Sequence, residues 1–154
     1  MTDIKDPTPR SIELTRTATG HYTARNPAGA EITFGRGEGL LSPVELLLAA
    51  IAGCSSVDVD TATSRSAEPS EFRVEATGLK VVEENGANRL EDLHLSFHLS
   101  FPDGSAGRKA AGMVERLVAL SHDKYCTVSR TVEHGTVVRH DVSVGVDGAA
   151  DEAR

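Results

Sequence analysis

One stretch constrains this chain more than any other: Ser42-Pro43-Val44-Glu45-Leu46-Leu47-Leu48-Ala49-Ala50-Ile51-Ala52-Gly53-Cys54. Ser42 reads as a helix N-cap and Pro43 as the first helical residue, where a missing N–H does no harm. Glu45 takes the third helical position, from which its carboxylate reaches back to the cap amide. The helix that follows is apolar on nearly every side, and the pattern carries it past Cys54 to about Ser64, before Glu68-Pro69-Ser70 breaks it. A soluble helix without a polar face belongs in an interior. The fold must therefore cover this helix all round. A thiol held inside it is either an inert small core residue or a protected nucleophile.

The chain has little material for that cover. Its 154 residues suffice for one domain with a core, but only 39% are hydrophobic, 4% are aromatic and none is Trp. Part of the cover is expected from a second copy, so a homodimer is the expected assembly. A net charge of -7 and a pI near 5.3 argue against nucleic acid or an anionic membrane surface as a partner, since both favour basic surfaces. The segment Met1 to Arg10 is polar and reads as neither signal peptide nor anchor. The apolar run Val44 to Ala52 is shorter than the roughly 20 residues that span a bilayer. These features lead to the expectation of a cytoplasmic protein, whose thiols stay mainly reduced.

Along the chain, residues 1–9 are expected as a flexible arm, 10–146 as one domain and 147–154 as a flexible tail. Ser11 to Thr19 alternates as a strand, His21 to Arg25 returns as a second, and Asn26-Pro27-Ala28-Gly29 turns into a third over Ala30 to Phe34. After the apolar helix, Phe72 to Glu83 and Leu90 to Phe101 form a hairpin across Glu84-Asn85-Gly86, with a bulge expected at Gly78. In the second of these strands Leu93, Leu95, Phe97, Leu99 and Phe101 share one face, and His94, Ser96, His98 and Ser100 the other. Gly107 to Ser121 carries a helical stripe, Asp123 to His134 holds a short helix around Cys126, and Val137 to Val146 reads as a closing strand. The order β-β-β-α-β-β-α-α-β makes an α+β domain of antiparallel sheet around a long buried helix.

The two cysteines are the candidate chemistry. Cys54 and Cys126 lie 72 positions apart without CxxC spacing, so they resemble neither a zinc site nor a thioredoxin-type motif. Either can be a packed small residue. A reactive thiol needs a helix N-terminus, a cation or a metal to stabilise its thiolate. Cys54 lies about three turns into its helix, where the dipole gives little help; Arg16, Arg25, Arg36 and Arg130 are the cations that could act on it. Cys126 sits near a helix start, with a histidine and two cations close in sequence. His94 and His98 share a strand face but stand about 13 Å apart along it, too far for one metal to bridge, so no metal is expected. Asp58 and Asp60 read as belonging to a partly exposed helix end.

The run from Ser42 to Cys54 resembles the first signature of the OsmC/Ohr family, and Lys124-Tyr125-Cys126-x-Val128-Ser129-Arg130-Thr131 resembles its second. The likeness covers roughly residues 10 to 146. It implies an interlocked α+β homodimer with long central helices enclosed by sheet, and a peroxidase of organic hydroperoxides. By that resemblance Cys54 matches the peroxidatic cysteine, whose thiolate attacks the O–O bond and becomes a sulfenic acid. Cys126 matches the resolving cysteine that condenses with it to a disulfide. No cofactor is implied, only an external dithiol or lipoylated reductant.

The chain departs from the family pattern in its activating groups. The glutamate that follows the motif proline in the most active members is Val44 here. Glu45, one position later, points to the other side of a straight helix from Cys54 and suits the cap instead. No arginine stands at Gly20-His21, where the family's early turn places one. A weakly active or non-catalytic dimer that binds a small apolar or thiol ligand is therefore the alternative expectation.

Overall fold

The computed structural model describes residues 7–147. Most of the expected arm (1–6) and tail (148–154) thus lies outside the described residues. Three antiparallel strands come first, β1 (Glu13–Ala18), β2 (His21–Arg25) and β3 (Glu31–Gly35), paired in the order β1-β2-β3. Leu14, Ala24 and Ile32 stand opposite one another across them. At the β3 end, Gly35 adopts a φ of 146°, and a Cβ there would come within 2.0 Å of the Gly20 carbonyl oxygen. That close approach lets the Arg36 amide bond Gly20 at 2.8 Å and ties the loop after β3 back to the first hairpin.

Helix α1 (Pro43–Thr63) starts as its sequence demands. The Ser42 amide donates to Glu45 Oε2 at 2.7 Å, and the Glu45 amide donates to Ser42 Oγ at 3.2 Å. Two of the orphan amides of the helix start are thereby satisfied. Thr63 ends the helix one residue before the expected limit. Strands β4 (Glu71–Val82) and β5 (Asn88–Ser100) form a separate antiparallel pair, with a register shift between Thr77 and Leu79. The expected bulge is at Gly78. On this pair Phe72, Val74, Ala76, Leu95, Phe97 and Leu99 are half-buried, while Thr77, His94 and His98 are exposed. The helix packs against β4, so the expected alternation sets the apolar face of the hairpin against α1.

The last third departs from its expected shape in two places. The single helix expected over Gly107 to Ser121 is two, α2 (Ser105–Ala111) and α3 (Val114–Leu120). Gly112 lies at the joint and lowers helix propensity there by about 1 kcal/mol relative to Ala. Gly107 is required by packing, since a Cβ would meet the Pro102 carbonyl oxygen at 1.9 Å. A π-helical turn, Ser121–Tyr125, then leads into α4 (Thr127–His134). The closing strand expected over Val137 to Val146 does not form: no strand is assigned there, and Val142, Val144 and Val146 are 78%, 84% and 80% exposed. Alternating valines favour an extended chain, but a strand exists only where a neighbour takes its backbone hydrogen bonds.

The cover expected around α1 is also incomplete within one chain. Only Ile51, Ser55, Val59 and Thr63 are buried, a stripe at four-residue spacing. Val44, Leu47 and Val57 remain exposed. The reason is geometric: β4, β5 and the C-terminal helices flank one side of α1, whereas the first sheet makes hardly any contact with the rest of the chain. By length and composition α1 is also long and apolar enough to cross a membrane, because the helix extends well beyond the run from Val44 to Ala52. Burial of Ile51 and Val59, each worth about 1.5–3 kcal/mol, anchors the side that is covered.

Candidate thiol site

Two helices meet at right places along the chain to bring both cysteines together. Cys54 and Ser55 are neighbours on α1; Ser55 belongs to the buried stripe and Cys54, beside it, is half-buried. Cys126 follows the π-helical turn, with its amide donating to the Ser121 carbonyl at 2.7 Å. Its backbone is extended (φ -69°, ψ 93°), and it is the N-cap of α4. The Ser129 amide donates to Cys126 Sγ at 3.4 Å, and Ser129 Oγ lies 3.2 Å from the same sulfur. An N-cap is usually an oxygen of Ser, Thr, Asp or Asn. Here a sulfur with no solvent exposure takes that place.

The start of α4 serves both sulfurs. Burial pushes the Cys54 thiol up; the Val128 amide and, less strongly, the Thr127 amide pull it down, and the neighbouring Cys126 sulfur adds to the rise, leaving it net raised. Burial also pushes Cys126 up, but the Ser129 hydroxyl, the Ser55 hydroxyl, the Ser129 amide and the Cys54 thiol outweigh it, and Cys126 ends lowered. Three successive amides at the positive end of a helix thus face two thiols, the arrangement that favours a thiolate. Both cysteines are free.

Asp58, one turn beyond Cys54, fixes this geometry. Its Oδ2 accepts the Ser121 hydroxyl at 2.6 Å and so ties α1 to the turn that delivers Cys126. Ser121 is buried and Asp58 half-buried, so Asp58 sits at a partly exposed place on the helix as expected, and its tie to Ser121 is what the sequence did not show. Asp60 does lie in exposed surroundings, where its Oδ1 accepts from Ser64 Oγ at 3.1 Å. A cavity of about 260 Å³ is lined by Leu48, Ile51, Leu95 and Phe97 on its apolar side and by Ser55 and Ser129 on its polar side; Ser55 follows Cys54 in the chain and Ser129 is the partner of Cys126, but neither cysteine lines the cavity. His122 and Glu133, paired at 3.2 Å, line it as well.

Two of the four candidate arginines are engaged elsewhere, and among the described residues none of the four is hydrogen-bonded to either sulfur. Arg16 donates to Thr19 Oγ1 at 3.0 Å, and Arg25 pairs with Glu31 at 2.6 Å. Arg36 lies in the loop bound to Gly20, and Arg130 lines an outer cleft with Lys124 and His134. Among the described residues, no arginine or glutamate is one of the groups that shift either cysteine. Glu45 is held by the cap, and its hydrogen bonds with the Ser42 amide and hydroxyl lower its pKa. Sequence reasoning found both cysteines and the cap but missed Ser55, Ser129, Ser121 and Asp58. Ser129 carried a usable signal, since position N3 is where a cap finds its amide partner.

Comparison with known proteins agrees with this architecture. The family model described as OsmC-like protein matches residues 35–141. A hypothetical protein from Aquifex aeolicus is similar at 27% identity over 84% of this chain and 91% of its own, with a TM-score of 0.66. An OsmC-like protein of unknown function from Vibrio cholerae shares the fold at 16% identity, covering 82% and 95%, with a TM-score of 0.67. So does an OsmC-like protein from Mycoplasma pneumoniae, at 15% identity over 82% and 88%, with a TM-score of 0.61. Among curated proteins no sequence matches the chain. With more than half of its length matched by the family model, and with the same α+β fold, the chain belongs to the OsmC-like family.

Proposed function

We propose that this chain is a thiol-dependent peroxidase of organic hydroperoxides. The observation that carries the reading is the packing of α1, which holds Cys54, against α4 and the turn before it, which hold Cys126, with an apolar cavity lined by Ser55 and Ser129 next to these helices. The Cys54 thiolate attacks the distal oxygen of the hydroperoxide; an S–O bond forms, the O–O bond breaks, and the alkoxide leaves and is protonated to the alcohol. The Cys126 thiolate then attacks the sulfenic sulfur, an S–S bond forms, and hydroxide leaves as water. An external dithiol or lipoylated thiol returns the pair to the reduced state, and no bound cofactor takes part. A compartment with reduced thiols, the cytoplasm, suits such a cycle.

The working unit in this reading is a homodimer. Ile12 just before β1, Leu14 and Ile32 on the first sheet, Val44, Leu47 and Val57 on α1, and the valines of 142–146 are all exposed in the single chain. Together they form more unpaired apolar surface than a soluble monomer usually presents. A second copy covers them and supplies the missing wrap around α1.

The experiment is peroxide consumption with cumene or tert-butyl hydroperoxide and a dithiol reductant. Cys54→Ser is expected to abolish turnover, and Cys126→Ser to leave a sulfenic acid at Cys54 that dithiols reduce poorly. Full turnover by Cys54→Ser contradicts the reading. A specific observation favours the second reading, a non-catalytic dimer that binds a small apolar or thiol ligand: burial raises the Cys54 thiol above its ordinary value. In that case neither variant changes peroxide consumption, and an apolar thiol binds both.

A further inference from the structure

The cavity between α1, the β4–β5 hairpin and α4 is not itself the place of reaction, since neither cysteine lines it. Its construction is nonetheless that of a ligand site. We propose that it binds a neutral apolar molecule, the size of one substituted ring, that carries a hydroxyl: an alcohol or a phenol held by Ser55 and Ser129. This goes beyond the peroxidase reading and stands whether or not the thiols turn over.

Volume and walls set the size and character of the guest. An apolar cavity of about 150 Å³ takes up benzene, and this one measures about 260 Å³. Its walls are Leu48 and Ile51 of α1, Leu95 and Phe97 of β5 and Val118 of α3, so a ring with a short substituent leaves water for an apolar surface. All of these walls belong to one chain. None of the exposed apolar residues assigned above to contact with a second copy lines the cavity, so a dimer formed through them leaves it open to a small molecule.

Two buried hydroxyls interrupt the apolar lining. Ser55 and Ser129 are only 4% and 7% exposed, and both line the cavity. A serine hydroxyl offers one donor and two acceptor positions. Ser129 Oγ accepts the Cys126 S–H at 3.2 Å, which leaves its own proton to donate. Other hydroxyls of α1 are turned onto their own helix, Ser56 to the Ala52 carbonyl at 2.7 Å and Thr63 to the Val59 carbonyl at 3.0 Å. Among the described residues no donor of the chain bonds Ser55 Oγ, so its lone pairs are left to accept. One free donor and one free acceptor complement a guest hydroxyl, which does both. A hydrocarbon of the same shape leaves these buried groups unpaired, which costs free energy.

Charge excludes an acid. His122 and Glu133 pair at 3.2 Å where the cavity meets solvent, each about half exposed at 54% and 46%. Glu133 thus already brings a carboxylate to the opening, and among the described residues no lysine or arginine lines the cavity. A guest carboxylate would be buried without a cation.

Ser129 links this site to the second thiol. Its amide donates to Cys126 Sγ at 3.4 Å and its hydroxyl oxygen accepts from the same sulfur. Cys126 has no solvent exposure, so a reagent reaches it only when the start of α4 opens locally. A guest that holds Ser129 and fills the space behind it favours the closed form by mass action.

The test uses the purified, reduced full chain with labelled Ile, Leu and Val methyl groups, followed by NMR. It is titrated with 2-phenyl-2-propanol, with the hydrocarbon cumene and with 2-phenylpropanoate. The methyls of Leu48, Ile51 and Leu95 are expected to shift with the alcohol, to shift with cumene at about tenfold weaker affinity, the scale of a hydrogen bond, and not to respond to the acid. Ser129→Ala is expected to bring the alcohol down to the affinity of cumene. At ten times its Kd the alcohol should slow iodoacetamide alkylation of wild-type Cys126 about tenfold; an unchanged rate overturns the link to the thiol.

The site itself is overturned if those methyls do not respond, if the acid binds as well as the alcohol, or if cumene binds as tightly. A second copy whose side chains fill the cavity gives the first of these results. The wild-type titration decides alone, so a Ser129→Ala chain that fails to fold leaves the test intact. No peroxide is present, so failure of the peroxidase reading is distinguishable from failure of this one.

Discussion

At the scale of single residues, Ser42 and Glu45 show how a short motif can be read without ambiguity. The pattern Ser-Pro-x-Glu specifies a cap, a first turn and a reciprocal acceptor, and both hydrogen bonds form as expected. Ser42→Ala is expected to lower stability by about 1 kcal/mol, read as a shift of the urea midpoint at constant slope. Glu45 has a lowered pKa because it accepts from Ser42. Its stabilising effect is present above the unfolded-state carboxylate pKa and is lost as pH falls through the folded-state value. Glu45→Gln should therefore flatten the acid side of the stability profile and leave the neutral-to-alkaline side unchanged in shape; an unaltered acid limb contradicts this role. Asp58 was not legible in the same way. Its partner Ser121 is 63 positions away, and only the packing of α1 on the turn before Cys126 reveals that the carboxylate is a fastener.

Elements were legible where a pattern had one structural solution. The alternation in Leu93-His94-Leu95-Ser96-Phe97 fits only a strand with one covered face, and β5 forms across it. The stripe over 107–121 fixed a helical period but not a continuous axis, because Gly112 interrupts the helix while Ala110 is buried and Met113, Val114, Leu117 and Val118 are half-buried; Leu120 is exposed. The helix start at Cys126 was visible in the sequence; that its amides also serve Cys54 was not, since the contact depends on α1 and α4 crossing near one point. Asp58 and Ser121 hold that crossing. Ser121→Ala removes a hydrogen bond to a charged group and is expected to cost about 1.5–3 kcal/mol, with faster alkylation of Cys126 by iodoacetamide as the turn loosens. Unchanged alkylation would show that other contacts suffice to place the turn.

For the whole molecule, the mismatch between an all-apolar helix and its partial cover was already present in the composition, and the single chain does not remove it. The exposed valines near the C-terminal end and the apolar row of the first sheet give the same expectation. A Val142→Asp, Val144→Asp double substitution should shift the protein from dimer to monomer in light scattering; a wild-type monomer contradicts the assembly. Closing a loop between residues 54 and 126 also constrains the unfolded chain. The chain-entropy treatment gives about 4 kcal/mol for such a span, so the oxidised protein should unfold at higher urea than the reduced one. The central claim, that Cys54 and Cys126 are one redox pair, is tested most directly by peptide mass mapping after one equivalent of cumene hydroperoxide, with no reductant present. The account predicts loss of both thiols together and a Cys54–Cys126 disulfide within one chain. Two thiols that remain free, or a disulfide joining different chains, would contradict it.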